Sequence, residues 1–177
     1  MKQKPKGIEF SKILVAIDGS ETSMRAAEYA INISKRQNHQ EGQEKTGAQL
    51  FGLTVIDLSK LPDSLLATTS GYYGIMELEG KRKEAQQWLD KAETLAIEQN
   101  FDIKNFKSEI IEDVSSRVGY AIVNYAESQN IDLIVIGTRG RTGLRKMLLG
   151  SVASDVVTYA HCPVLVVGQG NLNPNKW

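Results

Sequence analysis

Four short apolar runs in this chain lack the polar alternation of a half-exposed strand. They occupy residues 13–17, 50–56, 131–136 and 164–167. Runs of this length, rich in Val, Ile and Leu, are typical of strands that are covered on both faces, as in a parallel sheet. Residues 107–111 alternate more and suit an edge strand. We therefore predict a five-stranded parallel sheet.

Helical patterns separate these runs. Residues 21–37 follow Ser20, a predicted N-cap, because a serine hydroxyl can accept a hydrogen bond from a first-turn amide. Apolar residues recur at steps of three and four over residues 85–96 and 118–125, and a fourth helix is expected to begin near Ser151. The order βαβαβαβαβ predicts an α/β fold. We expect a doubly wound, Rossmann-like sheet with strand order 3-2-1-4-5 and helices on both faces.

The length and composition are those of one globular domain. The chain has 177 residues, of which 41% are hydrophobic and 24% are charged. We expect one domain over residues 11–168, with tails at 1–10 and 169–177 and a solvated loop at 37–47. Residues 58–80 are long for a strand-to-helix connection and are rich in apolar side chains. Two interpretations of this insertion stay open: a flap or partner-contact segment, and a loop that folds onto its own helix.

Charge and cysteine content exclude several classes of protein. Lysine and arginine number 21, as do aspartate and glutamate, so no net charge attracts DNA, RNA or an acidic membrane. Cys162 is the single cysteine, which excludes an intramolecular disulfide framework and a cysteine-rich zinc site. No apolar run approaches the ~20 residues of a membrane-spanning helix, and the first ten residues lack the apolar stretch of a signal peptide. We expect a cytoplasmic protein.

Two loops at the ends of strands carry the residues that suggest chemistry. In an open α/β sheet, ligands bind beyond the carboxyl ends of the strands, where strand order reverses. The first loop is Asp18-Gly19-Ser20, and the second, residues 137–143, has the sequence GTRGRTG. If the first and fourth strands are neighbours, both loops line one crevice.

The second loop suits an anion. Glycines let backbone amides approach phosphate oxygens, and a helix that begins at Ser151 favours negative charge at its start. Cationic donors surround the loop: Arg139, Arg141, Arg145 and Lys146. Asp18 suits a ribose or adenine hydrogen bond instead, so the two loops together describe a nucleotide site. The residues also allow two other interpretations: a glycine-rich surface loop with solvated arginines, and arginines that bind an RNA backbone without an aromatic platform.

The spacing Gly137-x2-Gly140-x9-Gly150-Ser151 resembles the nucleotide-binding signature of the universal stress protein family, in its ATP-binding branch. The resemblance also covers KILVAIDGSE near the start, the VID end of the second strand, DLIVIGTRG and HCPVLVV. It spans roughly residues 11–168, apart from residues 37–47 and most of residues 58–80.

The resemblance implies a site for ATP, or for AMP or ADP, with Mg²⁺ or Mn²⁺ bound through the phosphates. It assigns the adenine and ribose end to Ala16, Ile17, Asp18 and Val55. It assigns the ribose and phosphate end to Ile136, Gly137, Gly140, Gly150, Ser151 and Val152, beside the cationic Arg139. The insertion at residues 58–80 has no counterpart in this signature, so it either covers or reshapes the pocket.

The sequence of the last strand predicts that it pairs with a second protein chain. Residues 164–167 (VLVV) come at the end of the sheet and carry no charge that would protect an exposed edge, so we expect them to pair with another chain. Antiparallel pairing of two copies gives a closed two-fold homodimer, which members of the family commonly form.

The residues favour a binding module over an enzyme, and the resemblance implies that this module acts in a nucleotide-dependent way in stress response or signalling. The alternative is a slow ATP hydrolase or phosphotransferase that uses the same site, but such chemistry needs a general base near the terminal phosphate. Asp18 belongs to the sugar end, and His161 and Cys162 are expected to be structural, so we predict no catalytic residue. Trp88, at helical spacing, is expected in the core. A third possibility is a relative with an empty crevice, plugged by the insertion.

Overall fold

The computed structural model describes residues 9–36, 47–61, 71–140 and 149–169, and the side chains of residues 71–73 are not among them. Parts of the sequence predictions fall outside these ranges. They are the tails at 1–8 and 170–177, residues 37–46 of the polar loop, residues 62–70 of the insertion, and the four loop residues Arg141, Gly143, Arg145 and Lys146.

The predicted sheet is confirmed. The strands of the described chain form one parallel sheet in the order β3-β2-β1-β4-β5. Their bounds are Lys12–Ala16 (β1), Gln49–Asp57 (β2), Phe106–Asp113 (β3), Leu133–Gly137 (β4) and Val164–Val167 (β5). The edges are β3 and β5, as their sequences predict. β1 and β4 are direct neighbours at the centre, so the loops that follow them leave the sheet side by side.

The described chain contains four α-helices. They are Glu21–Arg36 (α1), Gly71–Glu98 (α2), Val118–Ser128 (α3) and Ser151–Tyr159 (α4), with short 3₁₀ turns at Leu58–Lys60 and Ile103–Asn105. The order of strands and helices is the one predicted from the sequence. Because the strands are parallel, the start of α1 and the start of α4 lie at the carboxyl edge of the sheet, next to the two loops.

The core consists of two layers, one on each face of the sheet. Alternate residues of β1 serve both layers: Ile13 and Val15 pack with α1 and α2, whereas Leu14 packs with α3 and α4. All three side chains are fully buried. Burial on both faces explains why the strands consist of continuous apolar runs.

The long segment before the second predicted helix is partly helix, which corrects the expectation of a connection up to residue 80. α2 begins at Gly71, so residues 71–80 extend this helix towards its N-terminus. The Glu, Lys and Arg residues at 77–84 favour helix. Gly80 is tolerated because it lies on an open surface, where an added β-carbon would meet no atom within 4 Å. Ile75 and Met76 are 59% and 53% exposed on this extension.

Candidate functional site

A cleft of about 590 Å³ opens at the carboxyl ends of β1 and β4. This volume lies within the usual range of ligand pockets, which is about 300–1,000 Å³. The structure brings every residue of the sequence-based site to this one cleft: Ala16, Ile17, Asp18, Val55, Ile136, Gly137, Arg139, Gly140, Gly150, Ser151 and Val152. Neighbouring β1 and β4 are the physical reason, because both loops leave the same edge of the sheet.

The first loop is a turn fastened by Asp18 and Ser20. Oδ1 of Asp18 accepts hydrogen bonds from the backbone amide of Ser20 at 3.0 Å and from its hydroxyl at 2.6 Å. The Ser20 hydroxyl in turn accepts from the amide of Ser23 at 3.2 Å, which confirms Ser20 as the N-cap of α1. The carboxylate that lines the cleft is thereby tied to the start of a helix.

A hydrogen bond joins the first turn of α1 to the second loop. The Thr22 hydroxyl, in a residue that is 2% exposed, donates to the carbonyl oxygen of Arg139. The close approach continues at Gly137, where a β-carbon would lie 2.8 Å from the Thr22 hydroxyl oxygen and 3.0 Å from the Ser23 nitrogen. Glycine at this position lets the end of β4 pass directly over the start of α1.

Gly140 faces the Asp18 carboxylate. A β-carbon on Gly140 would lie 2.7 Å from Oδ2 of Asp18, closer than ordinary van der Waals contact. The two loops therefore meet at this point, with one carboxylate oxygen bound to Ser20 and the other beside Gly140. The small size of Gly140 keeps the carboxylate in the cleft.

Gly150 closes the second loop. Its amide donates to the carbonyl oxygen of Thr138 at 2.7 Å, and a β-carbon on Gly150 would lie 3.3 Å from the same oxygen. The family resemblance assigns this amide to a phosphate, whereas in the structure it is engaged within the loop. The role that the structure gives Gly150 is the close approach of the two ends of the loop.

The start of α4 lies at the same cleft. Gly150 is the extended N-cap residue, and among the described residues no side chain caps this helix. The first residues of α4, Ser151 and Val152, have no intrahelical partner for their amides because they precede the first full turn. Both residues line the cleft, and the positive end of the helix dipole adds to their attraction for an anion.

The second wall of the cleft comes from residues that sequence reasoning leaves out of the site. The end of β2 and its 3₁₀ turn contribute Ile56, Asp57 and Lys60, and α2 contributes Lys81, Glu84, Ala85 and Trp88. The charge-rich residues 79–84 have the composition of a solvated helix face, yet two of them lie in this wall.

Trp88 packs against the core, as predicted, and also lines the cleft. Positions 81, 84, 85 and 88 share one face of a helix, and this spacing is the sequence signal that could have grouped them.

Asp57 is the carboxylate of this wall with a perturbed pKa. Burial raises the pKa of Asp57, but hydrogen bonds from Ser59 and the nearby charge of Lys60 outweigh burial and lower the pKa below its ordinary value of 3.8. Oδ1 accepts from the Ser59 amide at 3.1 Å and from its hydroxyl at 2.5 Å, and Lys60 Nζ lies 3.0 Å from Oδ2. Asp57 is therefore ionised over the physiological pH range.

His161 and Cys162 do not line the cleft. The Nδ1 atom of His161 lies 3.9 Å from Oε1 of Glu127 on the surface, and burial raises the pKa of the Cys162 thiol. A thiol with a raised pKa is a poor nucleophile because less of it is thiolate.

Within residues 9–36, 47–61, 71–140 and 149–169, no cluster of three His, Cys, Asp or Glu side chains has the geometry to hold a metal ion. In the same ranges, no helix is both long enough and apolar enough to span a membrane.

Comparison with known proteins shows similarity along almost the whole chain. The sequence profile of the universal stress protein family matches residues 9–168. A universal stress protein of Methanocaldococcus jannaschii is 39% identical over 158 residues, which are 89% of this chain and 82% of that protein.

Solved structures share the fold. Universal stress protein UspA from Lactobacillus plantarum aligns with a TM-score of 0.72 and 26% identity, over 91% of this chain and 99% of that one. A universal stress protein from Archaeoglobus fulgidus, solved in complex with dAMP, aligns with a TM-score of 0.59 and 18% identity, over 90% of this chain and 99% of that one.

Proposed function

Because the chain belongs to the universal stress protein family, we propose that its cleft binds an adenine nucleotide, with ATP as the expected ligand. AMP and ADP share the same adenine and ribose contacts and are expected to bind as well. The protein would act as a nucleotide-dependent module in stress response or signalling.

The observation that carries this proposal is the meeting of Asp18, Gly140 and the start of α4 in one cleft. Asp18 offers a carboxylate acceptor for ribose or adenine donors. Ser151 and Val152 offer helix N-terminal amides, and Arg139 offers a cation, to phosphate oxygens. A ligand with hydrogen-bond donors at one end and anionic oxygens at the other matches this polarity. The dAMP bound by the relative from Archaeoglobus fulgidus has this character.

The lining of the cleft suits a nucleotide. Gly140 lies beside the Asp18 carboxylate without a side chain that would displace it, whereas Gly137 and Gly150 allow close approaches within the protein itself. The apolar side chains of Val55 and Ile136 provide the kind of lining on which a base and sugar pack. Mg²⁺ or Mn²⁺ would be held through the phosphates, where it would neutralise part of their charge.

We favour a binding module over a slow ATP hydrolase or phosphotransferase. Asp18, the carboxylate beside Gly140, is held by Ser20 at the end of the cleft that we assign to the sugar. His161 and Cys162 lie outside the cleft. We propose that ATP stabilises one shape of the two loops and that its hydrolysis is not required.

We also propose a homodimer that forms through β5. This strand pairs with β4 on one side, and Val164, Leu165 and Val166 remain half-buried at the sheet edge. Antiparallel pairing with a second copy would satisfy the exposed backbone groups of this edge and bury its apolar side chains. A cytoplasmic location is proposed on the single cysteine and the balanced charge of the chain.

The decisive experiment is calorimetric titration of the purified protein with ATP, ADP, AMP and cyclic AMP, in the presence and absence of Mg²⁺. We expect saturable binding of ATP with one site per chain. Mass spectrometry of small molecules released on denaturation identifies a nucleotide that co-purifies. Failure of all four nucleotides to bind a protein that releases none would refute the proposal.

Hydrolysis is tested separately by incubating the protein with ATP and Mg²⁺ and measuring phosphate release, with Asp18→Ala as the matched control. We expect equal, background rates for the two proteins. Turnover in the wild type well above the Asp18→Ala protein would establish the hydrolase alternative.

A further inference from the structure

Helix α2 lines the cleft with one face, and the Trp88 side chain on that face touches the first loop. Lys81, Glu84, Ala85 and Trp88 follow one another at helical spacing along the wall of the cleft. The wall belongs to a helix of 28 residues that begins at Gly71.

The indole of Trp88 packs directly on the backbone of Gly19. A β-carbon on Gly19 would lie 2.3 Å from Nε1, 2.5 Å from Cε2 and 2.6 Å from Cδ1 of the indole. Gly19 also has a φ of +76°, a left-handed conformation that glycine adopts without strain. Both the contact and the conformation require glycine at position 19.

Gly19 is the middle residue of the turn that carries Asp18. One end of this turn is held by the hydrogen bonds between Asp18 and Ser20, which are local. The Trp88 contact comes from a helix that lies far along the chain, so it fixes the turn relative to the second wall of the cleft. A flat, rigid side chain on a glycine backbone leaves the turn little room to rotate.

We infer that Trp88 is a positioning residue of the nucleotide site, which holds the Asp18-Gly19-Ser20 turn in the shape that binds ligand. The inference rests on the proposed function. A preformed turn lets the ligand bind without the entropic cost of ordering those residues. Loss of the indole frees the turn, and the nucleotide must then order it on binding.

Leu95 provides a matched control on the same helix. It lies two helical turns after Trp88, and like Trp88 it is half-buried against the core between α2, α1 and the sheet. Leu95 does not line the cleft. A residue that acted on binding through core packing alone would give the same result at both positions.

The test compares Trp88→Ala, Trp88→Phe and Leu95→Ala by calorimetric titration with ATP. We expect Trp88→Ala to weaken binding about tenfold, which corresponds to about 1.4 kcal/mol. Trp88→Phe, which keeps a flat ring over Gly19, is expected to restore most of the affinity, and Leu95→Ala to bind like the wild type.

A second measurement uses the proteins without nucleotide. Amide hydrogen exchange reports on Gly19 and Ser20 directly, and we expect faster exchange in Trp88→Ala than in the wild type, Trp88→Phe or Leu95→Ala. If Trp88→Ala does not fold, Trp88→Leu takes its place, because leucine retains apolar volume but no flat ring.

The outcomes separate the two hypotheses. If the wild type binds ATP, and Trp88→Ala either binds equally well or shows no faster exchange at Gly19 and Ser20, the positioning role is refuted and the proposed function stands. If Leu95→Ala loses as much affinity as Trp88→Ala, the effect is one of core packing and the inference is also refuted. If the wild type does not bind nucleotides, the proposed function itself fails.

Discussion

Oδ2 of Asp18 lies 2.7 Å from the position that a β-carbon on Gly140 would occupy. These two residues are far apart in the sequence and belong to different loops, yet the absence of one side chain makes the space for the other. The carboxylate and the glycine loop are therefore parts of one site, and a change at either residue is expected to disturb the other.

Replacement of Gly140 by valine should separate the two loops. The branched side chain would displace the Asp18 carboxylate and occupy the cleft beside it. We expect ATP affinity to fall at least about tenfold, since loss of one hydrogen bond to a charged group costs about 1.5–3 kcal/mol. Calorimetric titration measures the affinity, and circular dichroism checks the fold.

Gly80→Val is the control for this prediction. Gly80 lies on the open surface of α2, where a β-carbon meets no atom within 4 Å, and it does not line the cleft. Its replacement should leave ATP affinity unchanged. Unchanged affinity in Gly140→Val as well would show that the glycine loop does not contact the ligand.

Thr22→Val removes the hydrogen bond between the Thr22 hydroxyl and the carbonyl oxygen of Arg139. Valine has nearly the same shape, so the main change is the loss of this part-buried hydrogen bond, while the Ser20 hydroxyl stays 3.4 Å from the same carbonyl oxygen. We expect the free energy of unfolding to fall by about 0.5–1.5 kcal/mol. Urea denaturation followed by circular dichroism provides the value.

Thr94→Val is the matched control for Thr22. The Thr94 hydroxyl donates to the Asp90 carbonyl oxygen at 2.8 Å on the exposed side of α2, where water can replace it. Its effect should stay within about 0.5 kcal/mol. Equal effects of the two substitutions would mean that the bond between Thr22 and Arg139 does not hold the loops together.

Two glycine-to-alanine substitutions should change stability in opposite directions. Gly19→Ala places a β-carbon on a backbone with left-handed φ and against the indole of Trp88. The free energy of unfolding should therefore fall by at least about 1 kcal/mol. Gly80→Ala, in an exposed helix, should raise the free energy of unfolding by roughly 0.5–1 kcal/mol. Thermal denaturation of both variants checks the signs, and a neutral Gly19→Ala would contradict the Trp88 contact.

Asp57 should make stability depend on pH in the acid range. Its folded-state pKa lies below the ordinary 3.8, so ionised Asp57 stabilises the fold above pH 3.8, and this contribution is lost as pH falls through the folded-state pKa. The wild type should exceed Asp57→Asn in stability at neutral pH, and the difference should shrink below pH 3.8. Urea denaturation at a series of pH values measures it.

Ser59→Ala tests the cause of that shift. It removes the hydroxyl that donates to Oδ1 of Asp57 at 2.5 Å, so the pKa of Asp57 should rise towards its ordinary value. Titration of the Asp57 carboxyl carbon by ¹³C NMR follows this change directly. An Asp57 pKa that is the same in both proteins would show that the Ser59 hydroxyl does not stabilise the carboxylate.

The differences between the predicted and observed elements have local physical causes. The apolar run that begins at Ile131 predicts a strand from that residue, whereas β4 begins at Leu133. The Ile131 amide donates to the Ala126 carbonyl oxygen and ends α3, and its side chain is 2% exposed in the core. A buried apolar residue can thus belong to the connection before a strand. The hydrophobic pattern alone does not distinguish such a residue from a residue of the strand itself.

Patterns in the amino-acid sequence are sufficient to predict the five strands, their order, and the two loops at their carboxyl ends. Continuous apolar runs, a serine cap and glycine spacing are local signals, and the order of the elements restricts the topology to very few arrangements. These signals also placed Asp18 and the glycine loop at one edge of the sheet.

The assembly of the site depends on contacts that exist only in the folded protein. The hydrogen bond from Thr22 to Arg139, the approach of Asp18 to Gly140, and the contact of Trp88 with Gly19 join residues that lie far apart in the chain. Such contacts depend on the packing of whole helices against the sheet to within fractions of an ångström, and no pattern of neighbouring residues encodes a distance of that kind. The second wall of the cleft, on α2, followed from that packing.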